Sequence, residues 1–171
     1  GRKTKPPNIE ILADEEQVEA LGKFVDSATR ADALAMVDAN SLALARVASG
    51  MPAIPVEMGP TELPQECGLE DGAIDFDKGC YLGQEVMARI HAMGQVQRVL
   101  LPATIAKEPT VRLPAELFLG EKKAGELKSY FSHESEISGS GMVLVRRNLL
   151  PEIRASGLSF LPSYEPQIFI K

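Results

Sequence analysis

After Met93-Gly94 the chain becomes a series of short strand-like runs separated by glycine and proline, and this change of texture limits the fold more than any other feature. Residues 96–101, 116–119, 125–131 and 142–145 read as strands, and Pro114, Gly120, Gly125, Gly139 and Gly141 break up the region. Short strands at near-regular spacing predict a small antiparallel barrel or sandwich. The boundary falls near Met93-Gly94, which gives a first part over residues 1–94 and a C-terminal β-barrel over residues 95–171.

The first part alternates helical and irregular signals. Residues 8–12 read as a short strand with Ile9 and Ile11 on one face. Asp14 is placed to cap a helix, with Gln17 completing a capping box. Val18, Leu21, Phe24 and Val25 then form an apolar stripe at helical spacing. A second helix is predicted over 39–49, where Gly50 suits the position after the cap and Pro52 prevents continuation. Residues 55–72 are a long stretch punctuated by proline and glycine, either a covering loop or a functional one. A strand is expected over 72–77, a turn at Lys78-Gly79, and a helix over 84–91 with Val86, Ile90 and Met87 facing inward. Helices and a strand followed by a barrel make the class α+β.

Composition removes several alternatives. Apolar residues are 44% and charged residues 25% of the chain, an ordinary globular balance. No apolar run approaches the length of about 18 residues that a membrane span needs. Residues 1–94 carry 8 basic and 16 acidic groups, net −8, and residues 95–171 carry 10 and 8, net +2. The acidic half argues against a broad nucleic-acid surface, because phosphates are met by clustered Lys and Arg. Cys67 and Cys80 form no CxxC, and His91 and His133 stand apart, so no metal site is expected and a reducing compartment fits best. The opening Gly1-Arg2-Lys3 has neither a Met nor the apolar stretch of a signal peptide, and reads as trimmed.

The most informative stretch is Lys78-Gly79-Cys80-Tyr81-Leu82-Gly83-Gln84-Glu85. It places Cys80 just before the amino end of a helix, where unpaired N–H groups and the helix dipole favour a thiolate. Gly79 and Gly83 permit tight turns or the close approach of a ligand. Against this stands the ordinary role of a lone cysteine as a small buried apolar group, which is the better reading for Cys67.

The octapeptide resembles the K-G-C-[FY]-x-G-Q-E signature of the YgfZ family, which is similar in fold to the T-protein of glycine cleavage. Arg46-Val47-Ala48-Ser49-Gly50-Met51-Pro52 resembles the family's R-[IL]-E-A-G-[IM]-P segment, with Ala48 at the acidic position. Leu63-Pro64-Gln65-Glu66 through Gly68-Leu69 is similar to its P-x-E-x-G-L stretch. Arg89, Gly94 and Arg98 match its R-x(4)-G-x(3)-R spacing, and Ile9-Glu10-Ile11 resembles the F-E-I strand of T-proteins. The segment 120–129 resembles the hairpin of the family's C-terminal barrel.

The resemblance implies the C-terminal part of a T-protein-like folate-binding domain followed by the barrel. It further implies a tetrahydrofolate-binding accessory protein that supports iron–sulfur enzymes, with a possible link to tRNA modification. Partners would be the folate and iron–sulfur proteins, without direct nucleic-acid or membrane contact. The location would be the cytoplasm, or the mitochondrial matrix in a eukaryote. Cys80 is the catalytic candidate, a thiol facing the folate channel. Glu10 and Glu66 are candidates for the pterin edge, Arg89 for the anionic glutamate tail, and Gly83 and Gln84 for the approach to the ligand. Structural alternatives are a turn-capping Glu66, a solvated Glu10 and an Arg89–Glu85 pair. The rival functions are a folate-dependent aminomethyltransferase, which needs an aspartate from a segment this sequence lacks, and a binding module that has lost the chemistry.

Overall fold

A computed structural model describes residues 13–31, 35–133 and 137–170. The chain divides into two compact units, Gly1–Leu42 and Ala43–Lys171. The predicted strand at 8–12, and Glu10 with it, lies outside the described residues.

In the first unit, α1 (Glu15–Arg30) begins at the expected capping box. Asp14 accepts from the Gln17 N–H at 2.9 Å, and the Gln17 side chain accepts from the Asp14 N–H at 3.4 Å. Along its apolar stripe Leu21 and Val25 are half-buried, while Val18 and Phe24 are exposed. Helix α2 (Ala39–Ala48) begins at the end of the first unit, where the Asp38 carboxylate accepts from the Ser41 N–H at 2.6 Å, and continues as the start of the second. It ends in a Schellman turn: Gly50 N–H donates to Val47 and Met51 N–H to Arg46, with Gly50 at φ 68°. A glycine is needed there because other residues pay a steric penalty in the left-handed region.

The second unit is built on a five-stranded antiparallel sheet. The strands are β1 (Arg98–Ile105), β2 (Ala115–Leu119), β3 (Lys122–Ser132), β4 (Gly139–Arg146) and β5 (Ile168–Ile170), in the order β2-β3-β4-β1-β5. Leu158 bridges to Ile168 of β5 and the next residue, Ser159, bridges to Phe118 of β2. These two bridges link the sheet's two edges, so the sheet curls into a small barrel-like ring. A turn of 3₁₀ helix (Arg147–Leu149) and α5 (Leu150–Ser156) lead from β4 to the bridging segment.

Side-chain alternation along the strands sorts two cores. Ile105, Leu117, Leu127, Val143, Val145, Ile153, Leu158 and Ile168 fill the inside of the ring. Leu100, Met142 and Leu144 point to the opposite face and pack with Val47 and Cys67, alongside Met58, Leu69 and Phe131. The unbroken apolar run Met142–Val145 therefore serves both faces, as expected for a strand covered on both sides. Burying each large apolar side chain contributes about 1.5–3 kcal/mol.

Two expectations are corrected. Residues 72–77 do not form a strand: α3 (Glu70–Ala73) makes one helical turn and the chain then bends. The Asp75 carboxylate accepts from the Asp77 N–H at 3.0 Å, a local bond that competes with strand pairing. Helix α4 (Gln84–Met93) forms as predicted, but Val86 is exposed while Met87 and Ile90 are half-buried. Among the described residues no helix is long and apolar enough to cross a membrane.

Candidate functional site

The proline-punctuated stretch after α2 carries three buried carboxylates, Glu57, Glu62 and Glu66. A buried carboxylate is costly unless it is paired and hydrogen-bonded. Each of these three meets a cation supplied by another element. Arg46 of α2 forks onto Glu57 with contacts of 2.8 and 3.0 Å, and the Ala53 N–H donates to the same carboxylate at 2.6 Å. Lys128 of β3 reaches Glu62 at 3.1 Å, which also accepts from the Gly59 N–H at 2.8 Å and from the Thr61 hydroxyl at 3.0 Å. Arg98 of β1 forks onto Glu66 at 2.9 and 2.8 Å, and the Leu63 N–H adds a bond of 3.1 Å.

This network sets the local electrostatics. Burial alone pushes the Glu62 carboxyl up, but the Gly59 N–H, Lys128 and Thr61 outweigh it and hold it below its ordinary value. Cys67 lies fully buried beside the network; burial first, then the Glu62 and Glu66 charges, push its thiol up to about 11. The reading of Cys67 as a packed apolar group agrees with that position.

The octapeptide lies against α4. Gly83 occupies the cap with φ 88°, a left-handed conformation that glycine adopts at no steric cost. Cys80 is exposed and reduced, three residues ahead of that cap and outside the first helical turn. The Lys78 ammonium sits 5.3 Å from the centre of the Tyr81 ring. The Tyr81 N–H donates to the Gln84 side chain at 3.4 Å, which closes the turn into the helix. Three contacts anchor α4 to the preceding segment. The Gln65 amide donates to the Met87 carbonyl at 3.0 Å, and His91 contacts Glu70 at 2.6 Å while stacking on Phe76 with ring centres 4.0 Å apart.

The candidate residues fall into distinct settings. Cys80, Gly83 and Gln84 are brought together at the start of α4, and Arg89 stands exposed on the same helix without an ion pair among the described residues. The alternative Arg89–Glu85 pair does not form among them. Glu66 is buried on the network and caps the Leu63 N–H as its structural alternative anticipated. Glu57 and Glu62 were not singled out from sequence, although charged residues inside a stretch rich in proline and glycine were the available signal. Two buried polar atoms near this region, the Tyr81 hydroxyl and the Gln65 amide oxygen, have no hydrogen-bond partner among the described residues. Among the described residues no group of three His, Cys, Asp or Glu is placed to hold a metal ion.

No family model matches the chain. It is similar to the mitochondrial iron–sulfur cluster assembly factor IBA57 homolog of Coccidioides immitis, 30% identical over 149 residues that cover 73% of this chain and 35% of that protein. The tRNA-modifying protein YgfZ of Colwellia psychrerythraea is 28% identical over 116 residues, 65% of this chain and 36% of that protein. The IBA57 homolog of Chaetomium globosum is 46% identical over a shorter span of 46 residues, 26% of this chain and 10% of that protein. The chain spans about a third of the length of the first two curated relatives. With two groups of relatives matched across most of its length, and the octapeptide beside them, the chain belongs to the YgfZ-type, T-protein-like family.

Proposed function

We propose that the chain is part of a tetrahydrofolate-binding accessory protein that supports the assembly or maintenance of iron–sulfur enzymes. The observation that carries this reading is the contrast between the two thiols. Cys80 is exposed in the octapeptide at the approach to α4, whereas Cys67 is sealed beneath the carboxylate network. A reactive cysteine must be reachable, and only Cys80 is. The names of the relatives support the iron–sulfur part of the reading.

The residues fit a folate in part. The Tyr81 hydroxyl, without a partner among the described residues, is a hydrogen-bonding group at the octapeptide, and the Arg89 guanidinium, unpaired among them, suits the carboxylates of a glutamate tail. Glu66 already accepts three bonds of the roughly four a carboxylate can take, so it can offer a pterin one further acceptor site. Gly83 and Gln84 shape the approach. When bound, the folate would carry a one-carbon unit; Cys80 would face it or a partner protein. Residues 1–94 would contribute the folate side and residues 95–171 the barrel. Iron–sulfur proteins would be the partners, in the bacterial cytoplasm or in the mitochondrial matrix.

Calorimetric titration of tetrahydrofolate under reducing conditions tests this reading, on the chain and on a full-length relative. Binding weakened by Arg89→Ala, together with loss of iron–sulfur enzyme activity in cells carrying Cys80→Ser, is the expected result. Absence of binding by both proteins removes the folate. Full activity with Cys80→Ser leaves a binding module without thiol chemistry.

A further inference from the structure

At one end of the barrel the sheet register sets two arginines against each other. Arg98 of β1 is paired directly with Arg146 of β4. Like charges opposite one another across a ladder destabilise a sheet. Arg147 follows immediately, held by its backbone N–H, which donates to the Gln97 carbonyl at 2.8 Å. The three arginines line a cleft of about 850 Å³ together with Gln95, Gln97 and Asn148. No carboxylate lines it, in a chain with 24 acidic residues against 18 basic ones.

Two of the three guanidinium groups in this cleft, those of Arg146 and Arg147, are uncommitted among the described residues. Arg98 gives its Nε and Nη2 to Glu66 and Thr61, which leaves Nη1 without an acceptor among the described residues. Arg146 and Arg147 make no ion pair among the described residues. The carboxylates that act on Arg98 are already bridged, Glu66 to Arg98 itself and Glu62 and Glu126 to Lys128. Glu66 already meets the Arg98 charge, whereas Arg146 and Arg147 carry theirs without a carboxylate among the described residues, and an anion placed between those two would be held by both.

We propose that this cleft binds a phosphorylated small molecule of nucleotide size. Guanidinium groups fork onto phosphate oxygens with two parallel bonds, and two of them can share one dianion. The cleft lies within the range of about 300–1,000 Å³ typical of small-molecule sites, and is larger than a phosphate ion requires. Gln95, Gln97 and Asn148 carry amides that both donate and accept, which suits the heteroatom edge of a base or a sugar. An RNA strand fits less well, since it needs a track of cations and residues 95–171 carry a net charge of only +2. The site is separate from the octapeptide, and the inference does not depend on the folate reading.

Titration of adenosine 5′-monophosphate into the chain, followed by calorimetry and by NMR shifts, tests the proposal. Adenosine and a short single-stranded RNA serve as comparison ligands. The expected result is one site for the monophosphate that adenosine does not occupy. Arg146→Gln and Arg147→Gln should each weaken it about tenfold, as loss of a charge-assisted pair predicts. Arg146→Gln should also leave the thermal midpoint unchanged or raised, because it removes the like-charge pairing. Should either variant fail to fold, Arg146→Lys and Arg147→Lys retain the charge and lose the fork, and weaker binding is again expected. Equal affinity in the folded variants, or no binding at about 1 mM ligand, overturns the proposal. RNA binding without monophosphate binding overturns it as well.

Discussion

The Arg98 guanidinium closes on the Glu66 carboxylate with two nitrogens, at 2.9 and 2.8 Å, across 32 positions of sequence. Two residues further along β1, the Leu100 N–H donates to the Glu66 carbonyl at 2.7 Å. The 63–69 turn is therefore stitched to the sheet by both side chain and backbone. Glu66→Gln keeps the shape and loses the charge, and should cost about 1.5–3 kcal/mol, read as a lower urea midpoint with an unchanged slope.

Arg46 has a heavier role. Its guanidinium satisfies the fully buried Glu57, donates to the Met51 carbonyl at 2.7 Å and lies 5.6 Å from the centre of the Phe131 ring. Arg46→Ala strands a buried carboxylate, and a loss of about 3–5 kcal/mol in equilibrium denaturation is expected. Arg46→Lys should recover only part of it, since one ammonium cannot reproduce the fork.

The depressed Glu62 carboxyl makes stability depend on pH. Its folded pKa lies below its unfolded one, so its contribution is complete above about pH 4.3 and is lost as the pH falls through the folded value. Thermal midpoints measured from neutral to acid pH should drop in that acid range, and the drop should be shallower in Glu62→Gln.

The two thiols should separate chemically. At about pH 8, iodoacetamide should label the folded chain at Cys80 alone, because alkylation needs an accessible thiolate. Cys67 is buried, with a thiol pushed up to about 11, and should be labelled only after unfolding. Mass spectrometry of tryptic peptides reads both positions.

Local signals in the sequence located the elements well. The Asp14 capping box, Gly50 after α2 and Gly120 between β2 and β3 act over a few residues, and the structure contains each of them, whereas Gly125, Gly139 and Gly141, expected to break strands, lie inside β3 and β4. The strand expected at 72–77 failed because an aspartate–backbone bond, invisible to an apolar count, won locally. The carboxylate network was not legible, since Glu57, Glu62 and Glu66 find their cations 11, 66 and 32 positions away. The octapeptide could be singled out because its glycines, cysteine and helix start are contiguous. The arginine cleft depends on strand register, which no short motif encodes.

Because β4 carries one core on each side, the ring interior and the layer of residues 47–69 share a single structural member. Neither can melt without exposing the other, so the two should unfold as one cooperative body. The amides of Met142–Val145 should then exchange with solvent only through global opening. A ligand or partner engaging the 47–69 layer would press on the strand that both cores share, which makes that layer a fixed platform instead of a lid.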